Sequence, residues 1–65
     1  MWTLESEYYP NGSKNFASEA LALEGAVICY ILRVPMFRLL KDGQEMMDQE
    51  ALHRRVLRDN PNLVK

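Results

Sequence analysis

The chain has 65 residues, of which 48% are hydrophobic and 26% are charged, so we expect one folded domain over residues 1–65 because so short a chain cannot bury two cores. The formal net charge of −1 argues against a global basic field that would attract nucleic acid or an anionic membrane. The single cysteine excludes an intrachain disulfide, and no cluster of Cys and His predicts a metal site, so we expect no cofactor.

Neither a membrane span nor a secretory signal is indicated. The longest uninterrupted apolar run, residues 26–32, is far shorter than the roughly 20 residues that a spanning helix needs. The N-terminus lacks a basic segment followed by an apolar one. We therefore expect a cytoplasmic protein.

The first element predicted along the chain is a β-hairpin. Residues 2–8 alternate in the manner of a half-buried strand, with one face formed by Trp2, Leu4, Ser6 and Tyr8. Residues 10–13 combine proline, asparagine and glycine, which favour a tight turn. Residues 14–17 then form the returning strand, with Phe16 on the inner face.

A helix is predicted from residue 19 to about residue 33. Ser18 is a suitable N-cap, and Glu19 lies at the positive end of the helix dipole. Pro35 cannot continue the helix and disfavours helical geometry at Val34.

This helix carries more apolar surface than one small sheet can cover. One stripe consists of Leu21, Gly25, Ile28 and Leu32. A second, beside it, consists of Leu23, Ala26, Val27 and Tyr30. Gly25 is costly in a helix, and we expect its missing side chain to allow close packing.

A second hairpin and a second helix complete the prediction. Apolar residues 36–40 and strand residues 45–47 flank an Asp-Gly pair, which is a strong hairpin signal. Asp48 is a suitable N-cap for a helix over residues 49–58, which Asn60 and Pro61 end. The predicted fold is α+β in the order ββαββα: a small antiparallel sheet of two hairpins with helices on one face.

A three-helix, all-α fold is the alternative. Leu21-Ala22-x-x-Gly25, followed by Leu32-x-Val34-Pro35, resembles the spacing in the theta subunit of bacterial DNA polymerase III, a three-helix protein that binds the proofreading subunit. The likeness covers about fifteen residues and does not identify the chain as a member of that family. It would make Pro35 the start of a second helix through Lys41, and it would leave the alternation of residues 2–8 unexplained.

No residue is predicted to be catalytic. His53, the only histidine, falls on the polar side of the last helix with no nucleophile at an informative spacing. Cys29 lies in an apolar helical run, where a thiol is usually a small buried hydrophobe. We therefore expect a protein that is not an enzyme.

Two groups of residues are candidates for binding. Aromatic, methionine and apolar helix residues are favoured at protein interfaces, and here they are Trp2, Tyr8, Leu23, Val27, Tyr30, Met36, Met46 and Met47. A basic patch in the last helix, suited to an acidic partner or phosphate, consists of His53, Arg54, Arg55 and Arg58.

The sequence thus favours a homodimeric protein-binding module that acts as a regulator, inhibitor or accessory protein and also binds an unidentified protein. Self-association is expected through the second helix stripe or through an exposed edge strand. Small size and mixed charge suit a phage or mobile-element protein that blocks a larger host machine. The alternative is a DNA-binding regulator, since residues 36–46 resemble the wing of a winged-helix excisionase and the basic patch could contact phosphates.

Overall fold

The computed structural model describes residues 1–63. Its elements are β1 (Trp2–Ser6), β2 (Ser13–Phe16), α1 (Glu19–Ile31), β3 (Met36–Lys41), β4 (Gln44–Asp48), α2 (Gln49–Asp59) and a short 3₁₀ turn, Pro61–Leu63. The four strands form one antiparallel sheet in the order β2-β1-β3-β4. The predicted α+β fold with the order ββαββα is confirmed, and each predicted boundary lies within two residues of the observed one.

The alternation had suggested that the first strand extends to residue 8, but β1 ends at Ser6. The buried Ser6 hydroxyl donates to the Pro35 carbonyl at 2.7 Å and accepts the Tyr8 amide at 3.1 Å. A serine that bonds to the amide two residues later bends the chain into a turn. Tyr8 therefore lies in the turn, 46% exposed, and does not continue the inner face of β1.

The three-helix alternative is wrong. Residues 36–41 form β3, which pairs with β1 on one side and β4 on the other. The reason lies at the end of α1, where Arg33 takes a left-handed φ of 59° and the amides of Arg33 and Val34 bond to Tyr30 and Cys29 carbonyls. This closure is a Schellman motif without glycine, and it turns the chain into the sheet before Pro35 can begin a helix.

The core lies between the sheet and the two helices. The sheet contributes the fully buried residues Leu4, Met36 and Leu39, and α2 contributes Leu52 and Val56. The face of α1 that packs on the sheet consists only of small residues: Ala22, Gly25, Ala26 and Cys29. The predicted core position of Cys29 is confirmed. Among the described residues, no helix is long and apolar enough to span a membrane.

Candidate interaction surfaces

Large apolar side chains are exposed on α1, most of them along the flank that faces away from α2. Leu21, Ile28 and Leu32 are 45%, 46% and 54% exposed, and Ile31 is 57% exposed. Leu21, Ile28 and Leu32 are spaced by seven and four residues, so they line one side of the helix. We call these three residues the outer α1 stripe.

Close packing against the sheet explains why these large residues lie outside. A methyl group at Gly25 would lie 2.7 Å from the Tyr9 hydroxyl oxygen and 2.9 Å from Cζ of Phe16. Only a glycine leaves room for both rings, as the sequence had suggested. The small buried face brings α1 down onto the sheet and leaves the larger side chains on its flanks and outer side.

The outer α1 stripe lies on the side of α1 that is remote from α2. Leu23 and Val27, on the opposite flank, border a shallow groove with Arg55 and Val56 of α2. Gly25, which lies between Leu21 and Ile28 along the stripe, contacts Phe16 of β2. The stripe is therefore above the β2 edge of the sheet.

Tyr9 packs between α1 and the β1–β2 hairpin, next to Gly25. Its ring packs edge-to-face against Tyr8, with centroids 5.2 Å apart, and against Phe16 at 6.3 Å. Burial, together with the neighbouring Cys29 thiol, raises the pKa of Tyr9 to about 12. The phenol is therefore neutral at ordinary pH, and its ring packs as an apolar group against the core.

The predicted interface residues fall into three environments. Met36 is fully buried in the core. A second group is partly buried and packs against that core: Trp2, Leu23, Val27, Tyr30 and Met47. Tyr8 and Met46 are 46% and 50% exposed and can reach a partner without rearrangement. The structure does not bring the predicted residues together as one surface.

The structure instead adds the outer α1 stripe, which sequence reasoning had not selected as the contact surface. Both stripes had been recognised on the helix, but the second was taken as the interface. The one available signal was Gly25, which belongs to the first stripe and marks the closest approach to the sheet.

The basic patch is neutralised by nearby carboxylates. Arg54 pairs with Glu50 at 3.3 Å, and Arg58 pairs with Asp59 at 3.5 Å. Arg55 bonds to Asp59 at 2.7 Å and also approaches Glu19 of α1 at 3.8 Å. These contacts hold the pKa of Asp59 below its usual value, mainly through the Arg55 hydrogen bond. The patch is thus a network of ion pairs with little net positive charge.

His53 is exposed and packs edge-to-face on Tyr30, with ring centroids 5.8 Å apart. Both residues border an open groove of about 800 Å³ that also includes Arg33 and Gln49. Gln49 is already engaged, since its side-chain amide donates to the Met36 carbonyl at 2.9 Å. Among the described residues that line this groove there is no serine, threonine or cysteine that His53 could activate.

Within residues 1–63, no three His, Cys, Asp or Glu side chains come together as a metal-binding group. Comparison with protein-family models, with curated proteins and with solved structures gave no match.

Proposed function

We propose that this chain is a small non-enzymatic protein-binding module, a homodimer that acts in the cytoplasm as a regulator, inhibitor or accessory protein. One observation carries the proposal: the three residues of the outer α1 stripe, together with Ile31, are four large aliphatic side chains that are each about half exposed. Clustered apolar side chains on a small surface are typical of sites that bind protein.

The physical driving force is the removal of this surface from water. Each square ångström of apolar surface that a partner covers contributes roughly 25 cal/mol. The only charged residues of α1 are Glu19 and Glu24, and Glu19 is turned towards Arg55 of α2. Glu24 lies one turn before Ile28, at the border of the stripe, so a partner that covers the stripe has to leave this carboxylate in water or pair it with a cation.

DNA binding has less support. The arginines of α2 already have carboxylate partners. At the tip of the second hairpin, Asp42 binds the N-terminal ammonium group at 2.5 Å, so this tip carries no net cationic surface for phosphate. A salt-sensitive complex with duplex DNA would nevertheless favour this alternative over the proposed one.

The test compares the self-association of the original chain with that of an Ile28→Lys variant, measured by sedimentation equilibrium from low to high micromolar concentration. A lysine at this position would lie one turn after Glu24, a favourable helical pair, so the helix should persist. The variant places a charge in the middle of the outer α1 stripe, and we expect it to be monomeric where the original chain is a dimer.

The matched control is Gln44→Lys, which adds the same charge at an exposed position of β4 on the far edge of the sheet. It should dimerise like the original chain. An original chain that stays monomeric at high micromolar concentration would overturn the proposal. Equal dimerisation of the two lysine variants would overturn the part of it that assigns the contact to the outer α1 stripe.

A further inference from the structure

The two edges of the sheet differ in how they are protected against pairing with another strand. β4 forms one edge, is interrupted by a bulge opposite Leu39 and Leu40, and carries Glu45 and Asp48. Bulges and charges are the usual devices that block an edge. β2 forms the other edge, has regular pairing along its whole length and carries one charge, Lys14.

The free hydrogen-bonding groups of β2 belong to Ser13 and Asn15. The Ser6 amide donates to the Gly12 carbonyl at 3.0 Å, so Ser6 and Gly12 form a hydrogen-bonded pair of the β1–β2 ladder. Such pairs alternate along an antiparallel ladder, so Lys14 and Phe16 also direct their backbone groups towards β1. Ser13 and Asn15 therefore direct theirs away from the sheet.

We propose, resting on the homodimer proposed above, that two copies join by antiparallel pairing of β2 with β2, with Asn15 opposite Asn15 at the two-fold axis. Charge selects this register. Pairing Ser13 with Asn15 would place Lys14 directly opposite Lys14, and like charges in that arrangement destabilise a sheet. The proposed register instead places each Lys14 opposite Phe16 of the second copy. Lys14 already lies 5.5 Å from its own Phe16 ring centroid.

The same axis brings the two outer α1 stripes together. α1 lies over β1, and at Gly25 it also reaches Phe16 of the edge strand β2. With strands about 4.8 Å apart, continuing the sheet through β2 puts the two α1 axes roughly 10–14 Å apart, with the two outer α1 stripes on the flanks that face each other. The edge strand and the stripe are thus covered by one contact with a second copy.

Asn15→Asp tests the register. The side-chain oxygen that accepts the Thr3 hydroxyl at 2.8 Å is kept, so each chain should fold normally, as checked by circular dichroism. In the dimer, two carboxylates would face each other with Cα atoms about 5.5 Å apart. We expect the dimer dissociation constant to rise roughly tenfold at low ionic strength and to recover in about 1 M salt, where the Debye length is about 3 Å.

Asn11→Asp is the matched control, because it makes the same chemical change in the exposed hairpin turn, away from the axis. It should leave the dissociation constant unchanged. A second variant, Asn15→Lys, gives an independent readout: mixed with Asn15→Asp, it should form mixed dimers that native mass spectrometry detects in excess over either homodimer.

The outcomes separate the two proposals. A chain that dimerises equally well with the Asn15→Asp and the Asn11→Asp substitution overturns β2 pairing and leaves the homodimer standing. Random mixing of the Asn15→Asp and Asn15→Lys chains overturns β2 pairing as well. An original chain that is monomeric at high micromolar concentration overturns both proposals.

Discussion

The two helices pack on the same sheet in opposite ways. α2 points Leu52 and Val56 into the core and covers its outer surface with charged residues that pair with one another. α1 points Ala22, Gly25, Ala26 and Cys29 inward and leaves Leu21, Ile28, Ile31 and Leu32 about half exposed. α2 is thus an ordinary amphipathic helix, whereas α1 is apolar on both its inner and its outer side.

This difference separates what folding requires from what binding requires. Large inward residues and charged outward residues satisfy a helix that meets only its own domain. Small inward residues let α1 approach the sheet closely, and its large outward residues contribute little to the chain's own core. The homodimer proposed above would account for this outer surface. On that proposal, a substitution on the inward side of α2 should lower stability more than association, and one on the outer α1 stripe should do the reverse.

The largest effect on stability is expected from the inward side of α2. Leu52→Ala removes a fully buried side chain and should lower the free energy of unfolding by about 2–5 kcal/mol, because a cavity remains. Leu21→Ala, the same change at a 45% exposed position of α1, should change it by less than about 0.5 kcal/mol. Urea unfolding at a concentration low enough to keep the chain monomeric measures both.

The order of the two leucine substitutions should reverse when dimerisation is measured instead of stability. Leu21→Ala should weaken the dimer, whereas any Leu52→Ala chain that remains folded should associate normally. If Leu52→Ala and Leu21→Ala lowered the free energy of unfolding equally, the outer α1 stripe would also stabilise the isolated chain. That result would contradict the distinction between the two helices.

A smaller effect is expected where α1 meets the sheet. Gly25→Ala gains about 1 kcal/mol of helix propensity, but its methyl group would collide with the Tyr9 hydroxyl and the Phe16 ring. Overpacking typically costs about 1–3 kcal/mol, so we expect a net loss of about 1 kcal/mol in thermal or urea unfolding. Tyr9→Phe removes one of the two contacts, and in that background the loss should shrink. A more stable Gly25→Ala chain would show that α1 does not lie so close.

The order of elements could be predicted from the sequence because local signals were strong: alternation in β1, the caps Ser18 and Asp48, and the Asp-Gly turn. Each cap does accept an amide at the start of its helix, from Leu21 and Ala51 respectively. The orientation of α1 could not be predicted in the same way. Both of its stripes are apolar, and which one faces outward depends on the small residues Ala22, Gly25 and Ala26 packing against the sheet.

The end of β1 and the state of the arginines were missed for a related reason. Ser6 bends the chain through bonds to Tyr8 and to Pro35, and the second of these contacts is remote in sequence. Arg55 faces Glu19 of the other helix, which no spacing within α2 reveals. Local patterns therefore predicted the elements, whereas contacts between elements decided which surfaces stay exposed.

The smallest effect is expected from the ion pairs that cover α2. The pKa of Asp59 is lowered by its hydrogen bond to Arg55, so the folded state favours the ionised carboxylate. Its contribution to stability is present above the unfolded pKa and is lost as pH falls through the lowered folded value. Asp59→Asn should therefore be less stable than the original chain near about pH 6 and equal to it near about pH 2. Salt should reduce the difference at the higher pH, because this pair is exposed.

The control for this pair is Glu50→Gln, which breaks the more exposed pair with Arg54 and should change the urea midpoint less across the same pH range. Asp59 differs from Glu50 because it holds Arg55 and lies near Arg58 as well. If Asp59→Asn and Glu50→Gln lost stability equally at every pH, the carboxylate at the end of α2 would contribute no more than any surface charge, and the polar cover of this helix would serve solubility alone.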